Sequence, residues 1–333
     1  MRKLTDLTKV INIYINEWED KLKKIPNVKN KKIEICIVDD LKFNASVGFN
    51  PKFKDEDRFQ IKINEGVFHQ IWNFYHRTFN VSNPDLIKMA SFMDEDFVYD
   101  DNFAIHLANL YINITINFVF LHELGHIVNN HLAYLKSLKY EEELMMDYPE
   151  PNNIAGLNIS AYEYQTLEME ADEFATKNIL EIITSEYLVK QLFKQPSIYH
   201  VAPTLKHLCL YIFSAIVNER SLQGIGANRR NYDLANARYL PSRMRLLVIL
   251  QELVKNMNTI IIDDGYPEEL IMQHIEGFES TINKYLVEEC LYDESVLSSQ
   301  NNLNELDTEV LNHVKHLKET IYPNLKKKLE SLL

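Results

Sequence analysis

Glycine, proline and cysteine are scarce in this chain of 333 residues, which contains 8 Gly, 10 Pro and 3 Cys. So few helix-breaking residues, beside abundant Leu, Ile, Glu, Lys and Asn, predict a helix-rich protein. The three cysteines are scattered and lack the spacing of a disulfide framework or a zinc knuckle, so we expect free thiols in a reducing compartment.

An excess of basic residues is also missing. The chain has 35 Lys and Arg against 48 Asp and Glu, a formal net charge of −13, which argues against a general binder of nucleic acid or anionic membranes. The start of the chain lacks the apolar run of a secretory signal, and the apolar stretches near 103–121 and 208–217 are interrupted by polar residues or too short to span a bilayer. We expect a soluble, acidic, cytoplasmic protein.

The segment Phe118–His131 places two imidazoles and a carboxylate among apolar residues. His122 and His126 are four residues apart, so on a helix both rings leave the same face, one turn apart. This spacing suits a zinc ion, and Glu123 lies on the flank of that face. His-Glu-x-x-His on a helix is the zinc-peptidase signature, in which the Glu is the general base.

A simpler interpretation is that the two histidines are hydrogen-bonded core residues. Their apolar surroundings favour a metal, because a buried polar cluster needs partners that a metal ion supplies. Gly125 points the same way, since an interior helical glycine costs about 1 kcal/mol relative to Ala and is understandable where something approaches the backbone.

The third ligand is predicted in the stretch Leu167–Thr176. If this stretch is a helix, Glu168 and Asp172 share a face; Glu168 would complete a His, His, Glu set, and Asp172 would hold the outer N–H of a ligand histidine. The alternative is a solvated acidic face. Glu170 lies about 200° round from Glu168 and is predicted to be solvated, while His131 lies about 140° round from His126 and is predicted to be structural.

With these residues the chain resembles the gluzincin metallopeptidases, through His122-Glu-Leu-Gly-His126 and Glu168-x-x-Ala-Asp172. Among them it is most similar to the Lit bacterial phage-exclusion peptidases, over about 118–180 and more faintly over 32–80. The resemblance implies a cytoplasmic zinc endopeptidase that a phage product activates and that cleaves a host translation elongation factor, such as elongation factor Tu, in antiviral defence.

The chain departs from the gluzincin pattern at one place. Such peptidases often carry a His-Pro pair followed by an Arg after the third ligand, whereas this chain has Leu240 where the His would be. The group that stabilises the transition state is therefore left open among Tyr239, Arg243 and Arg245, each of which could equally be a surface or helix-capping residue.

The hydrophobic periodicity predicts an α+β protein that is mostly α, with a zincin-like core. We expect a small antiparallel sheet, built as a meander of three strands near 33–63, and a central buried helix over about 103–135, with Asn113 as a candidate break. The connection 136–160 is either a lid or activator-sensing segment or a plain insertion. The predicted regions are a peptidase core, 1–200, and a helical C-terminal region, 201–333, unless the two form a single domain.

The predicted activity is hydrolysis of peptide bonds in a protein substrate, with Zn²⁺ on His122, His126 and Glu168 and with Glu123 as general base. Three alternatives stay open. The chain could be a regulatory peptidase that cuts a repressor, a zinc-containing protein without enzymatic activity that senses a phage protein, or a self-inhibited toxin held by a partner.

Overall fold

The computed structural model describes residues 7–23, 25, 28, 31–50, 58–79, 101–138, 144–145, 159–192, 215, 240, 245, 248–249, 251–253, 255–256 and 311–332. Most of the predicted connection 136–160, almost all of the apolar stretch near 208–217 and the predicted boundary near residue 200 lie outside these residues.

The described elements are mainly helices with one small sheet, which confirms the predicted α+β, mostly α class. In chain order they are α1 (Leu7–Leu22), β1 (Lys32–Val38), β2 (Ala45–Phe49), β3 (Arg58–Asn64), α2 (Glu65–Thr78), α3 (Asp101–Val128), α4 (His131–Ser137), β4 (Leu144–Met145), α5 (Ala161–Leu192), a π-helical turn (Leu317–Ile321) and α6 (Tyr322–Glu330).

The sheet is mixed, so the prediction of an antiparallel meander was wrong. Its strand order is β1-β3-β2-β4. The central strand β3 runs parallel to β1 and antiparallel to β2, so that Ile61 pairs with Ile35 on one side and with Val47 on the other. Alternating apolar residues identify strands and their faces, but they do not determine which strands become neighbours.

The first helix is anchored on the central helix by an aromatic contact and a hydrogen bond. Trp18 of α1 is completely buried and stacks on Phe120 of α3, with 4.4 Å between ring centroids. The Trp18 indole N–H donates to Asn117 Oδ1 over 3.0 Å. This hydrogen bond explains a buried asparagine in an apolar helix, because a buried polar group needs a partner.

The central helix α3 is buried on nearly all sides. Its stretch Ala104–Val128 is long and apolar enough to cross a membrane by length and composition alone, and 72% of the tested window is buried inside the protein. The core helix of a soluble protein has this same property. Asn113 lies inside α3 without a break.

The break in the predicted helix occurs further along, at Asn129 and Asn130. Asn130 adopts the left-handed conformation, with φ 60° and ψ 23°, and α4 begins at the next residue. Asparagine tolerates this conformation better than most residues. Lys31 stabilises the turn, because its Nζ donates to Ile127 O over 3.1 Å and to Asn130 Oδ1 over 3.2 Å.

Helix α5 begins with a capping box. The Glu163 N–H donates to Ser160 Oγ over 3.1 Å, and the Ser160 N–H donates to Glu163 Oε2 over 3.2 Å, so two N–H groups at the helix start are satisfied reciprocally. Tyr134 Oη of α4 and Lys328 Nζ of α6 also donate to Glu163 Oε1, over 2.9 and 2.6 Å. One carboxylate therefore joins three helices.

The C-terminal helical segment packs beside α5. Val314 and Leu317 are buried in a small apolar cluster with Met169 of α5. The π-helical turn ends at Ile321, two residues before Pro323, and the Tyr322 N–H donates to Leu317 O. Since proline has no N–H for the helical ladder, the distortion expected at Pro323 is accommodated one turn earlier.

Candidate metal centre

Two adjacent helices bring together a buried group of metal-ligand atoms. His122 and His126 come from α3 and Glu168 from α5, and each is at most 1% exposed. The two histidine Nε2 atoms are 3.3 Å apart. Glu168 Oε2 lies 3.5 Å from His122 Nε2, and Glu168 Oε1 lies 3.7 Å from His126 Nε2. The three residues predicted from spacing thus meet at one point.

Gly125 allows α3 and α5 to approach closely enough for this meeting. A Cβ atom at Gly125 would lie 3.1 Å from Ala171 Cα and 3.3 Å from Ala171 O. These neighbours are backbone atoms of α5, which cannot rotate away as a side chain could. Gly125, between the two histidines, and Ala171, three residues after Glu168, therefore set the distance between α3 and α5.

A buried ion pair supports His122 from behind. Asp172 Oδ1 lies 2.9 Å from His122 Nδ1, the ring nitrogen that faces away from Glu168. Arg245 donates twice to Asp172, from Nε to Oδ2 over 2.7 Å and from Nη2 to Oδ1 over 2.8 Å. Bidentate pairs of this kind are geometrically specific as well as strong.

Of the three predicted candidates for the transition-state donor, only Arg245 is described; Tyr239 and Arg243 lie outside the described residues. Arg245 is completely buried, and its Nη2 is also 3.6 Å from Glu168 Oε2. No short sequence motif predicts this contact, because Arg245 follows Asp172 by 73 residues. The structure places its guanidinium against the carboxylates that surround His122.

His126 has a different outer neighbour. Its Nδ1 lies 2.9 Å from Nδ1 of His131, whose Nε2 lies 3.1 Å from Glu170 Oε2. The prediction that Glu170 is solvated was wrong, since its side chain is only 10% exposed. The turn at Asn130 starts α4 at His131, and His131 contacts Glu170 of α5 and shields it from solvent. The pair Asn129-Asn130 was the signal for that turn.

The electrostatic surroundings of the two ligand histidines differ. Burial lowers the pKa of His122, but the carboxylates of Asp172 and Glu168 outweigh burial and leave the pKa raised. Burial, followed by the charges of His131 and His122, holds the pKa of His126 well below its ordinary value. The site therefore favours one positive charge beside Asp172 and Glu168 and disfavours protonation of both rings.

The ligand atoms fit a metal ion. A carboxylate only accepts hydrogen bonds, so His122 Nδ1 donates to Asp172. Whenever the ring is neutral, Nε2 therefore carries a lone pair that faces Glu168. The distances from Glu168 Oε2 to His122 Nε2 and Arg245 Nη2, 3.5 and 3.6 Å, exceed the ordinary hydrogen-bond range. A cation would neutralise these facing acceptors, and ligands around tetrahedral zinc are separated by about 3.3–3.5 Å.

Histidine nitrogens with a carboxylate oxygen are compatible with zinc without identifying it, because other divalent first-row metals accept the same ligands. Glu123 follows His122 directly on α3 and is 1% exposed. It is therefore a buried carboxylate in the turn that carries the first histidine of the group.

Comparison with known proteins adds one match. A family model described as Peptidase U49 matches residues 78–218, which include His122, Glu123, His126, Glu168 and Asp172. The match covers less than half of the chain, and Arg245 lies beyond it. No curated protein and no solved structure matches the chain. The match supports a peptidase, hence a hydrolase that acts on protein substrates, and the residues close enough to bind a metal lie inside it.

Proposed function

We propose that the chain is a zinc-dependent endopeptidase of the gluzincin type, with His122, His126 and Glu168 as the ligands of the ion. One observation carries the proposal: three buried ligand atoms from α3 and α5 converge within 4.8 Å of one another. The sequence of α3 at this point is His-Glu-x-x-His, and the peptidase-family match spans both helices.

Different residues of the chain would have different roles in the proposed reaction. Zinc, when bound, would supply a Lewis acid that activates both the attacking water and the scissile carbonyl. Glu123 would accept the proton of the attacking water and return it to the leaving amine. Asp172, held by Arg245, would keep the His122 ring in the orientation and tautomer that bind the ion.

The stabiliser of the developing oxyanion is a separate question. We retain Tyr239 and Arg243 as proposed donors. Arg245 already donates from Nε and Nη2 to Asp172, so donating those groups to an oxyanion would require it to give up a buried ion pair. We therefore propose that Arg245 acts mainly by orienting the ligands.

The general-base role is tested by replacing Glu123 with Gln, which keeps the shape and removes the basicity. We expect Glu123→Gln to lower peptide turnover by a factor of about 100 or more, because general-base catalysis contributes about 10²–10⁴-fold. Zinc content should stay unchanged. Glu319→Gln, at an exposed glutamate, is the control and should leave turnover intact. Undiminished turnover in Glu123→Gln would exclude the role.

The biological role follows from the resemblance to the Lit phage-exclusion peptidases over about 118–180. We propose a cytoplasmic enzyme of anti-phage defence, activated by a phage product, whose substrate is a host protein such as elongation factor Tu. The net charge of −13 supports a protein substrate over nucleic acid as partner, and the burial of most of the apolar helix α3 supports a soluble protein.

Infection of bacteria that express either the wild type or Glu123→Gln tests this role. We expect fewer plaques with the wild type only. New N-termini, mapped across the whole proteome, should appear in the elongation factor in the same cells. Cleavage confined to a repressor would replace this role by a regulatory one. Phage resistance that survives Glu123→Gln would favour a binding protein that senses phage without catalysis.

A further inference from the structure

The outer nitrogens of the two histidine ligands face different kinds of group. His122 Nδ1 faces the carboxylate of Asp172, which can only accept a hydrogen bond and therefore fixes the tautomer of the ring. His126 Nδ1 faces another imidazole, His131 Nδ1, at 2.9 Å. An imidazole nitrogen can donate or accept, so this contact alone leaves the tautomer of His126 undetermined.

Glu170 removes the ambiguity. Its Oε2 lies 3.1 Å from His131 Nε2 and can only accept, so the proton of a neutral His131 is on Nε2. His131 Nδ1 then carries a lone pair and accepts from His126 Nδ1. With its proton on Nδ1, the neutral His126 ring carries its lone pair on Nε2. This Nε2 lies 3.3 Å from His122 Nε2, where the proposed ligands meet.

We propose that His131 is a positioning residue for the metal ligand His126. With Glu170 behind it, His131 holds His126 in the tautomer that has its proton on Nδ1 and its lone pair on Nε2, free to bind zinc. The role extends the proposed zinc site and rests on it for its effect on metal affinity, but the tautomer itself exists in the zinc-free protein.

The backbone is built to bring His131 to this place. On an uninterrupted helix, five residues would turn His131 about 140° away from His126. The left-handed Asn130, with φ 60°, ends α3 and starts a new helix at His131. Lys31 holds the turn through Asn130 Oδ1 over 3.2 Å.

Tyr322 of α6 hydrogen-bonds Glu170, and burial together with the Glu170 charge raises the pKa of Tyr322.

The first readout is zinc affinity of the full-length protein, measured with Zn²⁺ in competition with a chelator. Three substitutions at His131 separate hydrogen bonding from packing. Asn keeps an acceptor near the position of Nδ1, Phe fills most of the volume without an acceptor, and Leu does neither. We expect His131→Phe and His131→Leu to bind zinc about 10–100-fold more weakly, and His131→Asn to retain most of the affinity.

A residue that acted only through packing would give the opposite order, with Phe closest to the wild type, and that order would overturn the proposal. His313→Phe is the matched control. His313 Nε2 contacts Gln165 Oε1 of α5 over 2.8 Å, and its ring packs edge to face against Tyr162. Its zinc affinity should equal that of the wild type.

The second readout is the protonation pattern of the rings in zinc-free wild type, seen in long-range ¹H–¹⁵N spectra with ¹⁵N-labelled histidine and assigned with single-histidine variants. We expect the proton of His126 on Nδ1 and that of His131 on Nε2. A proton on Nε2 of His126 would overturn the proposal, and this measurement needs no variant to bind metal.

The two readouts separate failure of the proposal from failure of the zinc site. Absence of zinc binding in the wild type would refute the proposed function, while the ¹⁵N spectra would still decide the tautomer. Zinc binding in the wild type with unchanged affinity in all three His131 variants would refute the positioning role and leave the zinc site standing.

Discussion

Asp172 and Arg245 form a completely buried ion pair directly behind His122. Removing one member of a buried pair leaves the other charge unpaired in a medium of low dielectric, which typically costs about 3–5 kcal/mol. The pair also positions a proposed metal ligand, so its loss should affect stability and metal binding together.

We expect Asp172→Asn and Arg245→Met each to lower the free energy of unfolding by about 3 kcal/mol or more, measured by denaturant titration of the zinc-free protein. The double variant should cost less than the sum, because neither charge is then left alone. Lys177 and Glu181, an exposed pair 4.0 Å apart on α5, serve as control and should contribute under about 1 kcal/mol. Additive losses at Asp172 and Arg245 would contradict the account.

The sequence predicted that His122, His126 and Glu168 would come together, because the signal for each helix is local. His122 and His126 share one helical face, and the spacing of Glu168 and Asp172 predicts a second shared face. Contacts that depend on tertiary packing could not be predicted in this way. Arg245 reaches Asp172 from 73 residues away in the chain, and Glu170 is covered by His131 of α4 and Tyr322 of α6.

Helix packing at Gly125 sets the distance between α3 and α5, the two helices that carry the proposed metal ligands. Replacing an interior helical glycine by alanine ordinarily stabilises a helix by about 1 kcal/mol. At Gly125 the added Cβ would stand 3.1 Å from Ala171 Cα, a backbone contact that is relieved only if α3 and α5 move apart. In Gly125→Ala, the gain in helix propensity is therefore opposed by the steric cost of the contact between the added Cβ and Ala171.

We expect Gly125→Ala to weaken zinc binding and to lose the usual stabilisation, as measured by chelator competition and thermal unfolding. Asn109→Ala is the control, because Asn109 is exposed on the same helix α3 and should show the ordinary small gain from alanine without any change in zinc affinity. An unchanged zinc affinity together with a full gain in stability for Gly125→Ala would mean that the helices are not in close contact there.

The start of α5 depends on the ionised form of Glu163. Burial raises the pKa of this carboxyl, but its hydrogen bonds with Lys328, Ser160 and Tyr134 outweigh burial, so the pKa is lowered below the ordinary value of 4.5. A lowered folded-state pKa means that the stabilisation is present above that ordinary value and is lost as the pH falls through the lower folded value.

We therefore expect Glu163→Gln to be less stable than the wild type at pH 7 and the difference to shrink as the pH falls below about 4.5. Denaturant titrations across this pH range measure the difference. Glu19→Gln, at an exposed glutamate of α1, should show no such convergence. A difference for Glu163→Gln that is independent of pH would show that its charge does not stabilise the helix start.

At the scale of elements, periodicity predicted the three strands near 33–63 and the central helix but neither the strand order nor the end of α3. The same alternation fits an antiparallel meander and the mixed sheet in which β3 separates β1 from β2, because periodicity carries no information on neighbours. The predicted helix over about 103–135 contains only helix-compatible residues up to Asn129, and one backbone angle at Asn130 divides it.

Across the molecule as a whole, the candidate site draws on both regions predicted from the sequence. His122, His126 and Glu168 lie in the predicted core 1–200, whereas Arg245, which holds Asp172, lies in the predicted C-terminal region 201–333. Helix α6 reaches back to α5 through Lys328 and Glu163, 2.6 Å apart. The proposed metal centre therefore depends on the folded chain and not on the His-Glu-x-x-His helix alone.

Metal content tests the central claim most directly. Elemental analysis of the purified chain should find one zinc ion per chain in the wild type and in His313→Ala. It should find much less in His122→Ala and in Glu168→Ala, because each removes one of three ligands that converge within 4.8 Å. Zinc unchanged by Glu168→Ala, or no zinc in the wild type even after reconstitution, would contradict the account.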